Sequence, residues 1–190
     1  MRIICAPLGA GKTSALRDYA TRRPSVRYVR VPAGTDSSTL RDLSTAEKRG
    51  GTLILDDVDR ADPAAFSALI DQIGGRGADA KMFLVGRSRR RMQIDRLLAI
   101  GNAAAYDASE LAFDAREVGE MARAFGLSFD DVDLAQAIYD TEGWPIAVEW
   151  LIRDAAETRG HLRDAFGHWR DRNGHLLLEM IENDYNDDPA

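Results

Sequence analysis

Lys12 and Thr13 close the stretch Ala6-Pro7-Leu8-Gly9-Ala10-Gly11-Lys12-Thr13, and a lysine and a hydroxyl residue behind a glycine-rich turn form a phosphate-binding arrangement. The pattern G-x-x-x-x-G-K-[ST] is met at every position but the first, where Ala6 stands in place of glycine. Backbone N–H groups of such a turn, at a helix N-terminus, make an anion hole for phosphates, here spanning Ala6 to Ser14. Lys12 would reach the β- and γ-phosphates, and Thr13 would hold Mg²⁺. Gly9 and Gly11 can take positive φ freely, whereas Ala6 needs an ordinary backbone conformation. Downstream, Asp56 and Asp57 close the apolar run Leu53-Ile54-Leu55. A carboxylate at the C-terminal end of a parallel strand faces the ligand crevice. Asp56 would therefore bind Mg²⁺, directly or through water, and Asp57 would orient or deprotonate an attacking water. Arg87 ends the next apolar run, beside the expected γ-phosphate, and can register whether that phosphate is present. Phosphoryl transfer needs mainly this positioning and charge neutralisation.

Other reactive side chains carry less. Asp57 and Asp59 also read as solvated loop acids. Arg89, Arg90 and Arg91 read as a solvated basic stretch without aromatic stacking partners nearby. His161, His168 and His175 each follow a glycine and recur every seven residues, about 10 Å apart on a helix and too far to share a metal. Cys5, the single cysteine, lies in an apolar run and reads as a buried small hydrophobe.

The elements that must hold these residues follow from hydrophobic pattern and punctuation. Arg2 to Cys5 reads as a central strand, and Gly11 to Thr21 as the helix after the phosphate turn. Val26 to Val31 alternates and reads as a second strand near a sheet edge. Asp36, Ser37 or Ser38 caps a helix to about Lys48. Thr52 to Asp57 is a third strand, Asp62-Pro63 starts a helix, Lys81 to Gly86 is a fourth strand, Ile94 to Ile100 a short helix, and Ala103 to Tyr106 a fifth strand. From Asp114 onward only helices are expected, with a break at Gly143-Trp144-Pro145 and others at Gly167 and Gly174. Strands alternating with helices, then helices alone, predict a parallel α/β domain followed by a helical subdomain. The 190 residues, 45% of them hydrophobic and 29% charged, suit a globular protein with a sizeable core. A net charge of −6 argues against a surface that binds nucleic acid throughout. With no signal peptide and no long apolar run, a cytoplasmic protein is expected.

Four stretches together resemble the nucleotide-binding core of the signal-transduction ATPases with numerous domains, in the branch of the maltose-regulon activator and the large LuxR-type regulators. The Ala6 to Thr13 stretch is similar to that branch's A-P-A-G-x-G-K-T, in which the leading alanine is usual. Leu53-Ile54-Leu55-Asp56-Asp57 resembles its Walker B run, hhhDD. Leu84-Val85-Gly86-Arg87-Ser88 resembles the strand whose arginine and serine form the first sensor. Thr141-Glu142-Gly143-Trp144-Pro145 matches the T-x-G-W-P of the helical subdomain and is the most discriminating of the four, and Leu111-Ala112-Phe113-Asp114 fits the segment leading into those helices.

The resemblance covers roughly residues 1 to 160 and implies a P-loop NTPase α/β fold, with a five-stranded parallel sheet in order 5-1-4-3-2 and a helical lid. The implied division is a nucleotide-binding domain over 1–110, a lid over 111–160 and a helical extension over 161–190 that begins a winged-helix region. Pro145 would contact the adenine, with Trp144 and Ile146 packed nearby. The implied activity is a switch: ADP holds a closed state, ATP with an inducer permits self-association, and slow hydrolysis resets it. Members carry a further element before the phosphate loop, a longer stretch before Walker B, a helical-repeat sensor and a DNA-binding helix-turn-helix. The chain lacks these, so DNA would be reached only through a domain absent from it. Two other readings stand beside the switch, a nucleotide-dependent interaction module without turnover and a small P-loop phosphotransferase.

Overall fold

Short runs rich in Ile, Leu and Val, each followed by a turn and an amphipathic helix, have one economical packing: parallel strands buried between helices. The computed structural model describes residues 1–45, 51–74, 81–99, 101 and 103–158, with positions 165, 167, 175 and 179. The chain divides into two compact units.

The first unit, Met1–Pro7 with Lys12–Asp107, holds a five-stranded sheet. Its strands are β1 (Arg2–Cys5), β2 (Val26–Arg30), β3 (Thr52–Asp56), β4 (Lys81–Gly86) and β5 (Ala104–Tyr106). They run in the order β2-β3-β4-β1-β5, every pair parallel, which is the expected 5-1-4-3-2 arrangement. Every residue of β3 is buried, and β1 is buried from Ile3 onward, as interior strands of such a sheet require. The alternating β2 is half-buried at one edge. The connecting helices are α1 (Lys12–Thr21), α2 (Ser37–Thr45), α3 (Pro63–Gly74) and α4 (Ile94–Ala99). Ile3, Leu53, Leu55 and Leu84 from the sheet form one core with Leu40, Phe66, Leu69, Ile70 and Leu97 from these helices. Each such side chain contributes roughly 1.5–3 kcal/mol by leaving water. Asp36 caps α2 by accepting the Thr39 N–H, and Asp62 caps α3 through the N–H groups of Ala64 and Ala65. The expected continuation of α2 to Lys48 lies outside the described residues.

β3 ends at Asp56, one residue before the expected strand end at Asp57. Asp57 takes φ 60 and ψ 35, and Val58–Arg60 forms a 3₁₀ turn. The turn inserts Val58 fully into the core, which pulls Asp57 out of the strand.

The second unit comprises Leu8–Gly11 and the chain from Ala108. It contains a 3₁₀ turn (Ser109–Leu111), α5 (Ala115–Ala124), α6 (Asp131–Thr141) and α7 (Pro145–Thr158). Asp114 begins α5 with a capping box: its side chain accepts the Glu117 N–H, and Glu117 accepts the Asp114 N–H. Asp130 caps α6 through the Asp133 N–H. Val118 and Ala122 of α5, Ala137 of α6, and Val148, Leu151, Ile152 and Ala155 of α7 form its core. Beyond Thr158, Ala165, Gly167, His175 and Glu179 are each helical, Gly167 among them although the sequence predicts a break there. His161, His168 and Gly174 lie outside the described residues. Among the described residues, no helix is long and apolar enough to cross a membrane.

Candidate functional site

β1 delivers the chain into the glycine turn and α1 leaves it, so Lys12 and Thr13 stand in the first turn of α1. Gly9 and Gly11 have φ of 80° and 77°, the conformation that glycine alone enters without cost. Ala6 keeps an ordinary backbone and is buried beside the end of β4, its N–H donating to Gly86 O. Lys12 is buried, and its ammonium donates to the carbonyls of Ala6 and Pro7, the latter at 2.8 Å. The lysine is thus fixed along its own loop. Ser14 is exposed in the same turn of α1.

The ends of β2, β3 and β4 converge on the two carboxylates. Asp56 is fully buried. Its Oδ2 accepts from Thr13 Oγ1 at 2.6 Å and from Tyr28 Oη at 2.5 Å, and its Oδ1 accepts the Asp57 N–H at 3.0 Å. Burial raises the Tyr28 pKa, as do its hydrogen bond to Asp56 and the charge there, so the phenol remains a donor. Asp57 is 4% exposed, which excludes the reading of this pair as solvated loop acids. Its Oδ2 accepts from Arg30 Nε at 2.7 Å, and the bond raises the Arg30 pKa further. Arg60 Nη1 lies 3.9 Å from Oδ2, and Arg87 Nη2 lies 3.9 Å from Oδ1.

Asp59 is buried as well. Its Oδ2 accepts the N–H groups of Arg87 and Ser88, at 2.8 and 3.0 Å, and so binds the end of β3 to the loop after β4. No hydrogen-bond partner for its Oδ1 lies among the described residues. Arg90 and Arg91 are exposed, and Arg96 donates to Ser67 and Asp71 of α3.

Within the second unit, the T-x-G-W-P stretch has a physical account. Thr141 donates to Ala137 O, accepts the Gly143 N–H through its hydroxyl and accepts the Trp144 N–H through its carbonyl. Gly143 has φ 69°, and a Cβ there would lie 2.5 Å from Phe113 O. Trp144 Nε1 donates to Leu8 O at 3.2 Å, and the Ile146 N–H donates to Gly9 O at 3.1 Å. Pro145 lies against Gly11, 3.7 Å from where a Cβ would stand. Trp144, Pro145 and Ile146 therefore pack on the tip of the glycine turn, Leu8 to Gly11, with Ala10 buried there.

Of the residues singled out by sequence, Thr13 meets Asp56, Asp57 comes near Arg87, and Lys12 folds onto Ala6 and Pro7. Sequence reasoning missed Tyr28, Arg30 and Asp59. Period-two alternation puts Tyr28 and Arg30 on one face of β2, and that is the signal that could have found them.

No protein-family model matches the sequence, and no curated protein matches it. Solved structures do. The Thermotoga maritima RuvB Holliday junction branch migration motor superposes with a TM-score of 0.59 at 16% identity, over 90% of this chain and 60% of the motor's chain. A point mutant of the same protein gives 0.60 at 17% identity over the same shares. The chain has the fold of a P-loop NTPase core. At this identity the likeness is one of fold, and the chain spans less than two thirds of either RuvB structure.

Proposed function

We propose that this chain is an adenine-nucleotide switch module of a LuxR-type regulator, which binds ADP or ATP with Mg²⁺ and hydrolyses ATP slowly to control its self-association. The observation that carries it is the Thr13–Asp56 hydrogen bond in the turn where Lys12 is held. A hydroxyl and a carboxylate oxygen are the donors that a hard cation such as Mg²⁺ takes, so Thr13 and Asp56 fit the metal. When bound, the metal supplies charge neutralisation at the phosphates. In this reading the main chain from Ala6 to Ser14 cradles the phosphates, Lys12 neutralises them, Asp57 orients the attacking water and Arg87 registers the γ-phosphate. Residues 1–110 form the nucleotide-binding domain, 111–160 a helical lid in which Pro145 contacts the adenine, and 161–190 a helical extension.

Sedimentation velocity with saturating ADP·Mg²⁺ or ATP·Mg²⁺, run beside a phosphate-release assay, tests the reading. Association with ATP, dispersal with ADP and a slow Mg²⁺-dependent release of phosphate are expected. The same sedimentation profile with either nucleotide contradicts the switch.

A further inference from the structure

Arg30 is the last residue of β2, and the parallel register sets it opposite Asp56, one residue before the carboxylate it binds. Its Nε donates to Asp57 Oδ2 at 2.7 Å. The other two guanidinium groups near that carboxylate stand at 3.9 Å, beyond hydrogen-bonding reach. The bond to Arg30 is therefore what fixes how the carboxylate is turned. The backbone needs such fixing, because φ 60 and ψ 35 at a residue other than glycine persist only where the surroundings over-determine them. The Arg30 side chain is 53% exposed and that of Asp57 only 5%, so the arginine reaches in from the surface to hold a buried acid.

We propose that Arg30 is a positioning residue for ATP hydrolysis: it occupies Oδ2 of Asp57, sets the plane of the carboxylate and leaves Oδ1 to orient the water. Arg30 acts through Asp57. The inference rests on the reading of this site as an ATPase. It fits the demands of phosphoryl transfer, where placing the water matters more than the basicity of the group that places it. An arginine that fixes the geometry of the carboxylate from the surface is then a net gain.

The test separates binding from turnover, using ATP affinity by calorimetry and single-turnover phosphate release. Arg30→Met should slow release by roughly tenfold to a hundredfold while the Kd for ATP·Mg²⁺ stays within about threefold. Arg30→Lys, which restores one charged donor, should recover part of the rate. In an Asp57→Asn background, Arg30→Met should cost nothing further, because the two residues act as one unit. Circular dichroism of each variant confirms the fold. An unchanged or faster rate in Arg30→Met, a loss of affinity equal to the loss of rate, or multiplying losses in the double variant would overturn the inference. Wild-type protein that binds ATP but releases no phosphate overturns it and leaves nucleotide binding standing. Wild-type protein that binds no nucleotide overturns the reading beneath it.

Discussion

Thr13 Oγ1 donates to Asp56 Oδ2 across 2.6 Å, joining the first turn of α1 to the end of β3. Tyr28 Oη donates to the same oxygen, so Oδ2 carries two donors. Protein donors alone fix the carboxylate, and the Thr13 hydroxyl, which donates its proton to it, has lone pairs that could accept a cation. In Asp56→Asn one oxygen becomes an NH₂ group and the negative charge is lost. Either Asp56→Asn or Thr13→Ala should reduce the gain in ATP affinity conferred by Mg²⁺ by about tenfold or more, while affinity in EDTA changes little. Titrations with and without the metal check this, and an undiminished gain in both variants would contradict the assignment of the pair.

Gly9 and Gly34 both have positive φ, 80° and 70°, but their surroundings differ. A Cβ on Gly9 would lie 2.4 Å from Ile146 Cγ2, whereas a Cβ on Gly34 would meet nothing within 4 Å. Gly34→Ala should therefore cost only the left-handed backbone penalty, about 1–2 kcal/mol. Gly9→Ala should cost that and about 1–3 kcal/mol more for the overlap. Urea unfolding of the two variants measures the difference, and equal midpoints would contradict the packing of Ile146 on the loop.

Asp59 binds two N–H groups, the half-buried one of Arg87 and the buried one of Ser88. Asp59→Ala leaves both without their acceptor and should destabilise the protein by roughly 2–3 kcal/mol. Asp59→Asn keeps an acceptor oxygen and should cost less. Denaturant unfolding separates the two, and equal losses would mean that the charge of Asp59, not its hydrogen bonds, holds the loop after β4.

Burial pushes the Cys5 thiol up to about 11, with the charge of Asp59 next in effect, and Cys5 Sγ lies 3.2 Å from Arg87 O as donor. The folded state keeps a proton that the unfolded chain releases near its ordinary value of 9.0. This contribution to stability is complete below about pH 9 and is lost as pH rises toward 11. Cys5→Ala should therefore lose less stability than wild type between pH 8 and pH 10. Urea midpoints at the two pH values test it, and parallel declines would contradict the burial of the thiol.

The strands were legible because β1, β3 and β4 are continuous apolar runs, and Lys12, Thr13 and Asp56 stood out as candidates because a phosphate site needs those residue types at that spacing. The surroundings of the carboxylates were not. Tyr28 and Arg30 alternate with valines, and that pattern also describes an edge strand with one face in water. Only the β2–β3 register, a long-range property, turns that face toward Asp56 and Asp57. Asp59 follows a strand end and reads as a solvated acid. Its burial depends on the 3₁₀ turn that inserts Val58 into the core, a choice made by packing and not by local propensity.

In the proposed switch, the turn from Ala6 to Thr13 holds nucleotide phosphates through Lys12. Lys12 Nζ is already fixed on the Ala6 and Pro7 carbonyls, within the loop that would receive them. Isothermal titration of ATP·Mg²⁺ into wild-type protein and Lys12→Ala is the most direct measurement. Saturable binding by wild type, weakened at least about tenfold in Lys12→Ala, is expected. Wild-type protein that takes up no ATP, or a Lys12→Ala variant that binds it equally well, would contradict the account.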